Sequence, residues 1–128
     1  MSPSARSSNL REVWRAGDLR IDVGTGTVRR DDALLDISGL TFDLLVALVR
    51  AAPNYLSHDE LLTQVWNGRI VSSATIMQRV LLLRRALDDT AAESQYVGLV
   101  KGRGYRFLAS VQSDEDEALR PGVVVRYG

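Results

Sequence analysis

A chain of 128 residues has room for one domain around a single core, since domains usually run to about 100–150 residues. With 45% hydrophobic and 25% charged residues it has the balance of an ordinary soluble domain, and no apolar run approaches the roughly 20 residues of a membrane-crossing helix. No cysteine is present, which excludes disulfides and thiolate metal sites, and the start MSPSARSS lacks the apolar centre of a secretory signal; a cytoplasmic setting is expected.

The net charge is zero, but it is segregated. Residues 1–68 hold 7 basic and 9 acidic side chains, residues 69–107 hold 7 and 3, and residues 108–128 hold 2 and 4. The middle segment is therefore the only basic one, and it is where a polyanion would be met.

In chain order, residues 1–12 read as a disordered tail, Ser-rich and without periodicity. From Trp14 to Ile37 short apolar runs alternate with the turn signals Gly24-Thr25-Gly26 and Asp31-Asp32, which predicts a small antiparallel sheet of three or four strands. The period changes at Thr41: Leu44, Leu45, Leu48 and Val49 predict a helix from Thr41 to about Ala52, ended by Pro53 and Asn54. Ser57-His58-Asp59-Glu60 has the spacing of a capping box opening a second helix through Leu61, Leu62 and Val65, followed after Trp66 by a loop at 67–71.

A third helix is predicted from Ser72 or Ser73 to about Leu87. At about 100° per residue, Ile76, Val80, Leu83 and Leu87 form the buried stripe, Ala74, Gln78, Leu81, Leu82 and Arg85 lie opposite, and Arg79 and Arg84 flank it. Tyr96–Val100 and Tyr105–Leu108 read as a hairpin around Lys101-Gly102-Arg103-Gly104, with glycines supplying positive φ. Residues 111–128, with the run Asp114-Glu115-Asp116-Glu117, read as an acidic linker or tail, which leaves 13–110 as the domain.

The expected fold class is α+β: a winged helix-turn-helix with an N-terminal antiparallel sheet, three helices and a C-terminal hairpin wing. A helix fits the major groove of duplex DNA, where Gln78 has the geometry to pair with adenine and Ala74, Thr75 or Leu81 to touch thymine methyls. A guanidinium between glycines, as at Arg103, suits a narrow minor groove.

The segments VSSATIMQRVLLLRRAL and YVGLVKGRGYRF, the latter with its Gly-x-Gly-Tyr-Arg-Phe ending, resemble the recognition helix and wing of OmpR/PhoB-type DNA-binding domains. With LTFDLLVALV and HDELLTQVW the resemblance covers about residues 13–108. It implies a bacterial transcriptional regulator that binds double-stranded DNA, with helix 73–87 in the major groove and wing 96–108 in the minor groove. It also implies that the loop after the second helix meets the DNA backbone or RNA polymerase, and that copies pair head to tail on direct repeats. Residue by residue, it points to Trp66, Thr75, Arg79, Arg84, Lys101, Arg103 and Tyr105; together with Ser73, Ala74, Gln78, Leu82 and Arg85 of the third helix these make the expected DNA-binding set. The positions of Ala74, Leu81 and Leu82 often carry cations in the family, so this helix is less basic than its relatives. The family's usual receiver domain is not part of these 128 residues, and the expected arrangement is that of CadC- and ToxR-like regulators, an N-terminal DNA-binding domain followed by a membrane segment or a helical-repeat sensor.

An enzyme would need a nucleophile with its base, paired carboxylates or a metal cluster. None assembles from the sequence, so no catalytic, cofactor or metal site is expected. Gly24-Thr25-Gly26 lacks the lysine and spacing of a phosphate loop, and His58, the one histidine, reads as a solvated side chain. The alternative function is a winged helix given over to protein binding, with Leu81 and Leu82 as its anchor.

Overall fold

The computed structural model describes residues 12–89 and 94–114. Four short strands come first: β1 (Val13–Ala16), β2 (Leu19–Asp22), β3 (Thr27–Arg30) and β4 (Ala33–Leu34). Each pairs antiparallel with its neighbour, Ile21 lying opposite Trp14 on one side and Val28 on the other. Alternation along β2 buries Leu19 and Ile21 and leaves Arg20 outside. The expected sheet thus forms, and it gains a fifth strand, β8 (Val111–Ser113), giving the order β4-β3-β2-β1-β8.

That fifth strand corrects the expected domain limit, because the acidic linker was placed from residue 111. Val111 pairs with Ala16 and Ser113 with Trp14, and the Asp114 carboxylate, 3% exposed, meets Arg15 at 3.5 Å and Arg20 at 3.2 Å. At the other end, Glu12 belongs to the domain and not to the tail. It accepts from Arg50 at 2.6 and 2.7 Å and from the Trp14 indole at 2.8 Å, and the Arg50 hydrogen bond holds its carboxyl below the usual range. The expectations for the chain start and for the acidic run beyond Asp114 lie outside the described residues.

Helix α1 (Gly39–Ala51) starts two residues before the expected Thr41, with Ser38 at its N-cap. Leu44 through Val49 are all buried, because the helix is enclosed by the two helices that follow and by the strands at Tyr55–Ser57 and Gly104–Phe107. A helix apolar on all sides has to be central. Next comes β5 (Tyr55–Ser57), a strand with no counterpart in the sequence reading, then α2 (His58–Gln64). The capping box forms as expected: Ser57 Oγ accepts from the Glu60 amide at 3.1 Å, and the Glu60 carboxylate accepts from the Ser57 amide at 2.8 Å.

Helix α3 (Ser73–Ala86) has Ser72 as its N-cap, with Oγ accepting from the Thr75 amide at 3.1 Å. The predicted stripe is the buried one: Ile76, Val80, Leu83 and Leu87 are all in the core, each side chain contributing about 1.5–3 kcal/mol of apolar burial. The chain closes with the hairpin β6 (Val97–Val100) and β7 (Gly104–Phe107), to which β5 adds an edge in the order β5-β7-β6. Gly102 has the expected positive φ of 71°. Gly104 does not, and is needed for a different reason: a Cβ there would lie 1.9 Å from the Leu56 carbonyl oxygen of β5.

Candidate nucleic-acid interface

The outer face of α3 is built by its periodicity. Ser73, Ala74, Thr75, Gln78, Leu82 and Arg85 are all exposed, and positions 75, 78, 82 and 85 follow one another at helical spacing along one side. Leu81 and Leu82, 47% and 40% exposed, give this face an apolar middle, with Arg85 in the last turn. Beside it the β6–β7 turn projects Lys101 and Arg103, both exposed. The turn closes by the Arg103 amide donating to the Val100 carbonyl at 2.8 Å. The basic residues of the wing and the polar face of the helix thus lie on neighbouring elements.

Between them lies a cleft of about 240 Å³. Its polar and ionisable members are His58 from α2, Ser73 from α3, and Arg103 and Tyr105 from the wing, above the apolar side chains of Leu61 and Ile76. Burial pushes the Tyr105 phenol above its usual value. The structure therefore brings Ser73, Arg103 and Tyr105 to one place and adds His58. Sequence reasoning left His58 aside, because periodicity places a residue on a helix face without saying which other element that face meets.

Three expected site residues are engaged within the protein. Trp66 is only 7% exposed and packs in the core, so its ring is not available to a DNA backbone; the loop that follows exposes Ile70 at 89% instead. Arg84 is turned inward, its guanidinium donating to Ser94 Oγ and lying 3.7 Å from the Asp89 carboxylate. It ties the end of α3 to the start of the wing and does not reach outward to a phosphate. Arg79 is half-buried and donates to Thr41 Oγ1 of α1 at 3.2 Å, so it lies along the seam between the two helices.

Two clusters set the wing against α3. The buried Asp89 carboxylate accepts from the amides of Gln95, Tyr96 and Val97 at 2.6, 3.2 and 3.0 Å, fixing the chain where it enters β6. From the sheet, Arg30 donates to the Leu87 carbonyl at the C-terminus of α3 at 2.7 Å, to the Tyr96 hydroxyl at 3.3 Å and to Asp18 at 3.2 Å. Tyr96 in turn donates to Asp18, and burial, with that bond, raises its phenol above the usual value. A cation at a helix C-terminus satisfies a carbonyl that has no partner within the helix. Neither Arg30 nor Asp89 carries a local motif, since their partners are set by tertiary structure.

Among the described residues there is no cluster of three His, Cys, Asp or Glu side chains placed to hold a metal ion. No helix among them is long and apolar enough to cross a membrane.

Both the sequence and the fold have relatives among known proteins. The family described as "Transcriptional regulatory protein, C terminal" matches residues 32–107. The chain is 30% identical over 100 residues to the transcriptional activator CadC of Escherichia coli, covering 77% of this chain and 20% of CadC. It is 34% identical over 96 residues to the DNA-binding response regulator MtrA of Mycolicibacterium smegmatis, covering 74% of this chain and 42% of MtrA. The chain thus spans less than half the length of these relatives. Among solved structures, it is similar to the DNA-binding domain of E. coli CadC, with a TM-score of 0.70 at 28% identity over 80% of this chain and 96% of that one. It is likewise similar to the Klebsiella pneumoniae RstA DNA-binding domain, solved in complex with the RstA box, with a TM-score of 0.69 at 26% identity over 74% of this chain and 95% of that one. On this evidence the chain belongs to the OmpR/PhoB-type family of winged-helix DNA-binding domains found in transcriptional regulators.

Proposed function

We propose that this domain binds double-stranded DNA sequence-specifically, with α3 in the major groove and the β6–β7 wing in the adjacent minor groove, as the reading module of a transcriptional regulator. The observation that carries the reading is the pairing of an exposed polar helix face with an exposed Lys101–Arg103 tip on the next element. The face exposes Ala74, Thr75 and Gln78, and Gln78 offers the donor and acceptor pair that adenine requires. Arg85 and Lys101 neutralise phosphates, while Arg103 enters the minor groove. With Trp66 in the core, the part of the 67–71 loop offered to RNA polymerase is the exposed Ile70. Pairing of two copies head to tail on repeated half-sites, and a cytoplasmic location, complete the reading by analogy with the relatives.

Replacing Arg103 with alanine is the direct test. Duplex affinity is expected to fall by about 1–3 kcal/mol, with the salt dependence of log K reduced by about 0.9 for the lost cation. Unchanged affinity and slope would remove the wing from the interface.

A further inference from the structure

The cleft between α3 and the wing has a consequence for how the domain holds the duplex. A major groove and its neighbouring minor groove are separated by one sugar-phosphate backbone, so a protein with its helix in one and its wing in the other straddles that backbone. The cleft is then where the backbone passes, and this placement rests on the groove assignment proposed above. With Arg103 directed to the minor groove, the side chains there that can donate to a phosphate are Ser73 and Tyr105, and His58 from the neighbouring helix. His58 is half-buried and lines this cleft, so it keeps access to solvent.

We propose that His58 is a phosphate-binding residue that acts in its protonated form, so that duplex binding is coupled to uptake of one proton by the imidazole. A neutral imidazole can donate one hydrogen bond to a phosphate oxygen but neutralises no charge; the imidazolium does both. The charged and titratable groups that face His58 come from three elements. Arg103 lines the same cleft from the wing, and a phosphate passing there offers a second cation an anionic partner. Tyr105 stays neutral over the relevant range because burial raises its phenol. Ser73 of α3 is uncharged. On its own helix Asp59 and Glu60 follow, and the Glu60 carboxylate is occupied by the Ser57 amide. Since His58 is the sole histidine, an imidazole contribution to any pH dependence near neutrality comes from this side chain.

The test is a salt titration of binding to a random-sequence duplex, at about pH 5.5 and about pH 8, for the wild type, His58→Gln and His58→Lys. Phosphate contacts do not depend on base sequence, so this probe needs no known operator. The wild type should bind with a log–log salt slope steeper by about 0.9 at the lower pH, equivalent to about fivefold tighter binding near 0.15 M salt. His58→Gln should show the shallow slope at both pH values and His58→Lys the steep slope at both. Equal wild-type slopes at the two pH values would overturn the proposal, as would a wild-type change that His58→Gln retains. Absence of duplex binding by all three proteins at low salt would overturn the groove reading along with it. Binding that depends on Arg103 but not on His58 or pH would leave that reading standing and remove only the role of His58.

Discussion

Gly104 shows how a single residue can be required for a reason its neighbours do not reveal. Of the two glycines in the Gly-x-Gly-Tyr-Arg-Phe run, Gly102 supplies a left-handed turn residue, whereas Gly104 lets β5 come within a distance that leaves no room for a Cβ beside the Leu56 carbonyl. Gly104→Ala is therefore expected to destabilise the fold by about 3 kcal/mol in urea unfolding, at the upper end of overpacking costs, because the obstacle is backbone. Gly102→Ala should cost about 1 kcal/mol, for backbone conformation alone. If the order were reversed, the close approach would not be what fixes this position. Trp66 and Arg84 carry the same lesson in the other direction. Both are residue types that suit a nucleic-acid surface, and both are turned into the protein, Trp66 by the core and Arg84 by Asp89 and Ser94. Residue type and neighbourhood in sequence could not separate these outcomes, since Asp89 becomes a partner only once the wing has folded onto it.

At the scale of elements, what the sequence made legible was whatever depends on local periodicity and local hydrogen bonds. The buried and exposed faces of α3, the capping box of α2 and the wing hairpin all follow from residues within a few positions of one another. The strands β5 and β8 were not legible: each is three residues long and is a strand because of a partner distant in the chain, Tyr105 for Leu56 and Arg15 for Gln112. The clamp made by Arg30 belongs to the same class. It joins β3, the C-terminus of α3 and the start of the wing through Leu87, Tyr96 and Asp18, and so holds the two proposed DNA-reading elements in fixed relation from the side away from their exposed faces. Arg30→Met is expected to lower stability by about 2 kcal/mol and to speed amide exchange in the last turn of α3 while sparing its first turn, which Ser72 caps. Uniform exchange along the helix in the variant would mean that Arg30 does not anchor that end.

For the whole molecule, the proposed function asks that one arrangement present a helix face and a hairpin tip to adjacent grooves. The absence of overall net charge is no obstacle, because binding depends on where the cations lie: those of residues 69–107 include the exposed Arg85, Lys101 and Arg103, while the acidic excess falls in the segments before and after. A recognition face with apolar Leu81 and Leu82 at its middle makes fewer phosphate contacts than a more basic one, so discrimination has to rest more on base contacts and less on bulk charge. The most direct measurement is selection from a random duplex pool at about 150 mM salt, where non-specific electrostatic binding is already weak. A defined motif is expected to be enriched, repeated at about one helical turn if two copies bind side by side. Recovery of no motif, with all binding lost as salt rises, would contradict the proposed function and would favour a protein-binding role for the Leu81 and Leu82 face.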